Sequence, residues 1–225
     1  MSFGCSWTFG DELLDPELEK KGMESYYTQN DQYRLSHCYT GLLASHYNLT
    51  QENLSFPGSS LQSMQWNLMW WLDNHTNNYI EQSLILVGLT DESRISWYNP
   101  HHTKDRDDPP WNNYLHTQWL EAAGSNVDRG WFDLHKHYLS MSACNELYKL
   151  NYDTTTRIFD GVAARYNIPV IQFNLLSTNV SNLSTWYNID ARGVVNNNYK
   201  KNGHPTEQGH KNISDYLIKI IDTLD

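Results

Sequence analysis

Leu84-Ile-Leu-Val-Gly88-Leu89-Thr90-Asp91 is the stretch on which the fold turns. It runs apolar for four residues, then closes on glycine, leucine and two polar side chains. A short run with no polar face is a strand covered on both sides, as strands of parallel sheets are. Ile168-Pro-Val-Ile-Gln-Phe173 has the same character. Its proline lies near the strand start, where a missing N–H is tolerated. Asn53-Leu-Ser-Phe-Pro57 is a shorter candidate. Before Gly4 only Met1-Ser-Phe3 is available, so a first strand there is very short or the chain begins earlier.

Working outward, the segments between these runs carry the helical period. Tyr33 to His46 places Leu35, Tyr39, Leu42, Leu43 and His46 on one stripe. Ser60 to Leu72 does the same with Leu61, Met64, Leu68 and Trp71. Ser140 to Tyr166 predicts a long helix with Leu147, Leu150, Ile158, Val162 and Tyr166 inward. The last helix is expected from Thr206 to about Ile221, with Ile213, Tyr216, Leu217 and Ile220 inward. Strands alternating with helices predict an α/β fold, a parallel sheet with helices on both faces. Residues 96–131 fit neither period. They hold Asp107-Asp-Pro-Pro-Trp111 and Trp97, Trp111, Trp119 and Trp131. A connection this long is usually functional, so a single domain over 1–225 is expected with an insertion or lid at about 96–131. Its tryptophans suit stacking on sugar rings or a satellite core under the loop.

Composition excludes several classes. The chain has 225 residues, 16 Lys+Arg against 26 Asp+Glu, and a formal net charge of −10. Such a surface repels phosphate backbones, so no nucleic-acid partner is expected. It also favours a neutral acylated ligand over an anionic polymer. No apolar run approaches the roughly 20 residues of a membrane span, and the N-terminus does not read as a signal peptide. Cys5, Cys38 and Cys144 are an odd set at scattered spacing, read as reduced cytoplasmic thiols. The histidines at 101, 102, 116, 135 and 137 lack a completing ligand cluster, so no metal and no organic cofactor are expected.

Four short elements fall where an open α/β sheet builds its sites, just past strand ends. Gly4-Cys-Ser6-Trp-Thr8-Phe-Gly10 can hold Ser6 on a tight strand-to-helix turn, or Ser6 simply caps a helix. Phe56-Pro-Gly58-Ser59-Ser60 puts a glycine where a backbone N–H can approach a ligand, or is an ordinary turn. Val87-Gly88-Leu89-Thr90-Asp91 ends the clearest strand. Gly203-His204-Pro205-Thr206-Glu207-Gln208-Gly209-His210 opens the last helix, with Pro near its first turn and His204 on the loop before it.

In this order the four elements resemble the SGNH (GDSL-like) hydrolase superfamily. They are most similar to short phage and bacterial members reading G-C-S-x-T-x-G, P-G-S-S, G-x-T and G-H-P-x-x-x-G-H. The resemblance implies a three-layer α/β/α, flavodoxin-like fold with a mainly parallel central sheet. It implies a serine esterase acting on a carbohydrate O-acetyl group or a small acyl ester. Ser6 would be the nucleophile and His204 the general base. The backbone amides of Ser6 and Gly58 and the hydroxyl of Thr90 would hold the oxyanion. The chain departs from the family pattern at three positions. Cys5 and Thr90 stand where Asp and Asn are usual, and Lys201 stands where the triad Asp would be. Asn202 cannot supply the charge, so Asp190 and Glu207 are the expected candidates to orient His204. Arg94, four residues past Thr90, is expected either to bind an anionic substrate group or to form an ion pair on the rim. The rival to an enzyme is a binding or virion-associated structural protein of the same fold. A nucleotide binder is disfavoured, because no G-x-G-x-x-G loop is present.

Overall fold

The structure is a computed structural model and describes residues 1–25, 27–92, 94–98, 111–114, 144–177, 179 and 181–224. Three parallel strands form the central sheet: β1 (Ser2–Phe3), β2 (Ile85–Leu89) and β5 (Val170–Asn174), with β2 in the middle. Register pairs Phe3 with Val87 and Val87 with Gln172. Single parallel bridges extend both edges, Ser2 to Asn53 and Gln172 to Trp186. The candidate strand at residues 53–57 is therefore one bridge long. The Asn53 side-chain amide donates to the carbonyl of Thr8 at 2.9 Å.

The sheet is covered on both faces, and its side chains alternate accordingly. Ile85, Val87, Leu89 and Val170 point to one core with Phe3. Two helices complete that core, α5 (Leu61–Asn74) and α7 (Cys144–Tyr166). Leu86, Ile171 and Phe173 point to the other core, closed by α4 (Tyr39–His46) and α9 (Glu207–Ile221). This is the expected α/β/α sandwich with a parallel sheet. Burying side chains such as Phe3 and Trp71, both 0% exposed, stabilises by about 1.5–3 kcal/mol each.

The helices begin where the sequence allows. Ser60 caps α5 through a reciprocal box with Ser63. Thr206 caps α9 by accepting from the Gly209 amide at 3.2 Å. Shorter helices are α1 (Ser6–Phe9), α2 (Pro16–Glu19), α3 (Asp31–His37), α6 (Asn77–Ile80) and α8 (Ala191–Val195).

Three inward assignments are corrected. Leu147 and Leu150 are 45% and 61% exposed, whereas Tyr152, Phe159 and Val162 are buried. At 100° per residue the two leucines lie roughly 140–160° around the helix from Tyr152. Tyr216 is also exposed at 38%, on the flank of a stripe centred on Ile213 and Leu217. The single helix expected over 33–46 is two, broken at Cys38, whose ψ is 155°, and His46 is exposed at its end.

Part of the 96–131 segment is a two-stranded antiparallel ribbon, β3 (Ile95–Tyr98) with β4 (Trp111–Tyr114). Trp119 and Trp131, and the histidines at 101, 102, 116, 135 and 137, lie outside the described residues. No helix among the described residues is long and apolar enough to cross a membrane.

Candidate functional site

The C-terminal ends of β1 and β2 open onto a crevice of about 570 Å³. Ser6, Gly58, Arg94 and His204 all line it. Ser6 is the first residue of α1 and is 7% exposed. Its amide is among the first-turn N–H groups that a helix cannot bond internally.

Pro57 and Gly58 are the central pair of a turn closed by the Ser59 amide on the Phe56 carbonyl at 3.1 Å. Gly58 has φ of +79°, the left-handed value that the third position of a type II turn requires and that glycine adopts without strain. Among the described residues, the amides of Ser6 and Gly58 make no hydrogen bond.

His204 is held from a direction that its own neighbourhood in sequence does not reveal. Its Nδ1 lies 2.8 Å from Glu12 Oε2, across 192 residues of chain. The other Glu12 oxygen accepts from Asn202 Nδ2 at 2.5 Å. Glu12 adopts φ of +65°, uncommon for a residue with a side chain and typical of functional sites. Its amide is tied to Asp11 Oδ1 and to Ser25 Oγ, each at 3.0 Å. Asp11 Oδ2 stands 3.8 Å from His204 Nε2, too far for a hydrogen bond.

An Nδ1–H donating to Glu12 would leave Nε2 as the ring's second nitrogen. No hydrogen bond joins it to Ser6 Oγ. Lys201 is exposed and is not among the crevice-lining residues.

Two buried residues brace this arrangement. The Tyr39 hydroxyl donates to Thr8 Oγ1 at 2.8 Å, and the Tyr39 amide donates to His210 Nδ1 at 3.2 Å. Thr8 belongs to the Ser6 turn, and His210 to the helix that follows His204. Tyr39 thus ties the two halves of the site together. Burial pushes the His210 imidazole down to about 3, with His204 adding to the effect. His210 is therefore a neutral packing residue.

The other expected positions fall elsewhere. Asp190 caps α8 by accepting from the Gly193 amide at 3.0 Å. Glu207 accepts from the Tyr33 hydroxyl. Neither meets His204: Asp190 is engaged at the start of α8 and Glu207 by Tyr33 of α3. Thr90 is 0% exposed, its hydroxyl has no partner among the described residues, and it does not line the crevice. The residues that do reach the crevice from that loop are Asp91 and Arg94. Arg94 Nη1 reaches the Ser59 carbonyl at 3.4 Å and forms no ion pair among the described residues.

Cys5 is a buried free thiol packed in the core beneath α1. Among the described residues no three His, Cys, Asp or Glu side chains gather as metal ligands.

Glu12, Asp11 and Arg192, the last also on the crevice wall, are the residues that sequence reasoning missed. A signal for the first two was present: Asp11-Glu12 follows the Ser6 motif directly.

No family model matches the sequence, and no curated protein matches it. Among solved structures, a member of the lipolytic protein G-D-S-L family from Veillonella parvula DSM 2008 aligns with 99% of this chain and 97% of its own, at 15% identity and a TM-score of 0.41.

Proposed function

We propose that the protein is a serine hydrolase of the SGNH type that cleaves an ester through an acyl-enzyme at Ser6. The observation that carries this reading is the Glu12–His204 pair facing the crevice that Ser6 and Gly58 also line. His204 Nε2 takes the Ser6 proton as Oγ attacks the ester carbonyl. The same nitrogen returns the proton to the departing alkoxide. Glu12 keeps the proton on Nδ1 and stabilises the imidazolium as it forms. The Ser6 and Gly58 amides hold the oxyanion, a contribution typically worth ~100-fold or more per donor. Water then releases the acyl group by the same route.

The missing Ser6–His204 bond is compatible with this chemistry, because catalytic hydrogen bonds are often long in unliganded sites and tighten on the substrate. The substrate is a small acyl ester or a carbohydrate O-acetyl group. The test is turnover of 4-nitrophenyl acetate by wild type and Ser6→Ala, with labelling of Ser6 by a fluorophosphonate probe. Wild type turns over and is labelled. Ser6→Ala loses at least about a thousandfold in kcat, since the nucleophile cannot be replaced, and is not labelled. Absence of both signals across a panel of esters would leave a binding protein of the same fold.

A further inference from the structure

We propose that the crevice is built for an ester whose non-reacting part carries one carboxylate, held between Arg94 and Arg192. This rests on the hydrolase reading above and names its substrate class. Arg94 comes from the loop after β2 and Arg192 from α8, and both line the crevice that Ser6 and His204 line. Among the described residues neither guanidinium has an ion-pair partner. Arg34 shows what a structural arginine looks like in this chain. It pairs with Asp31 at 2.6 Å and lies 3.6 Å over the Phe9 ring.

Asp11 already accepts from Ser25 and from the Glu12 amide. Counting Glu12 on His204 with Asp11 and Asp91 against the two arginines, the formal charge of the site is −1, in a chain whose net is −10. The site is thus far less negative than the molecule. A planar guanidinium accepts a carboxylate through two parallel N–H bonds, a geometry that favours this group over a neutral one. The neutral ligand expected from chain-wide charge is therefore not the one that the crevice favours.

The test compares two esters of matched shape, mono-4-nitrophenyl adipate and 4-nitrophenyl 6-methylheptanoate. Wild type is expected to prefer the adipate ester by about tenfold or more in kcat/KM, the equivalent of one charge-assisted hydrogen bond. Arg94→Gln and Arg192→Gln each pull that ratio towards one, by raising KM for the adipate ester. Equal kcat/KM for both esters in wild type, or an equal loss on both esters in the variants, overturns the proposal while the hydrolase reading stands. Where neither ester turns over, the hydrolase reading fails, and calorimetric binding of monomethyl adipate decides the matter. Binding that either arginine variant loses retains the carboxylate site, and absence of binding to wild type overturns it.

Discussion

Glu12 joins two facts that are separate in sequence. Its backbone sits at φ of +65°, and its carboxylate lies at hydrogen-bond distance from His204 Nδ1. Asparagine tolerates left-handed backbone better than most residues, so Glu12→Asn keeps the local fold. We expect its unfolding free energy to stay within about 1 kcal/mol of wild type, as for a partly exposed substitution without a packing role. Its kcat is expected to fall by about 10²–10⁴, the scale seen when a histidine loses the carboxylate that sets its tautomer, with KM changed far less. Urea unfolding and steady-state kinetics on one preparation check both halves, and a variant with full kcat would remove Glu12 from the mechanism. That Ser6, Gly58 and His204 line one crevice was legible because glycine-flanked polar residues past strand ends mark crevices. Glu12 was not, because its contact with His204 exists only after 192 residues of chain have folded back. Thr90, at the position that the motif marks, is completely buried past the end of β2 and does not line the crevice.

At the scale of elements, the buried strands and α5 were legible from short apolar runs and a clean helical stripe. The break between α3 and α4 was not. No proline or glycine marks Cys38, and the stripe continues across it. The helix breaks because tertiary contacts compete for its backbone: the Tyr39 amide goes to His210 Nδ1. The kink brings the Leu35 carbonyl against Gly41, where an added Cβ would stand 1.7 Å from that oxygen. Gly41→Ala should therefore force the two helices apart and cost at least about 2 kcal/mol, within the range for overpacking against a fixed neighbour. Gly161 on α7 has nothing within 4 Å of the same added atom. There Gly161→Ala should stabilise by about 0.5–1 kcal/mol through helix propensity and the less flexible unfolded chain. Thermal unfolding of the pair should show shifts of opposite sign. A shared sign would mean that the α3–α4 junction is not tight.

At the scale of the whole molecule, His210 couples stability to pH. It is 0% exposed on the inner side of α9, stacked on Tyr39, and burial holds it down to about 3. In the unfolded chain its pKa returns to about 6.5. Between those values the unfolded state binds a proton that the native state refuses, so ν_U exceeds ν_N and stability rises with pH. Above about 6.5 both states are neutral and the dependence vanishes. Glu52 acts in a lower window. Burial pushes its carboxyl up, but hydrogen bonds from Tyr79 and Trp71 outweigh that and hold it below the usual range. Its contribution is thus lost only as the carboxylate protonates in acid, below roughly pH 4.5. The interval from pH 7.5 to 5.5 lies above that window, and within it the Met1 amine, held down to about 6 by burial, adds a loss of the same sign as the histidine. His210 should account for about 1.4 kcal/mol of the unfolding free energy that wild type loses across it, one proton over one effective pH unit. His210→Gln keeps an oxygen acceptor for the Tyr39 amide and removes the titration. The variant starts less stable, but across the same interval it should lose about 1.4 kcal/mol less than wild type in urea unfolding. If the variant loses as much as wild type between pH 7.5 and 5.5, another group sets the dependence, and His210 is not the buried neutral brace between the Ser6 turn and the His204 loop.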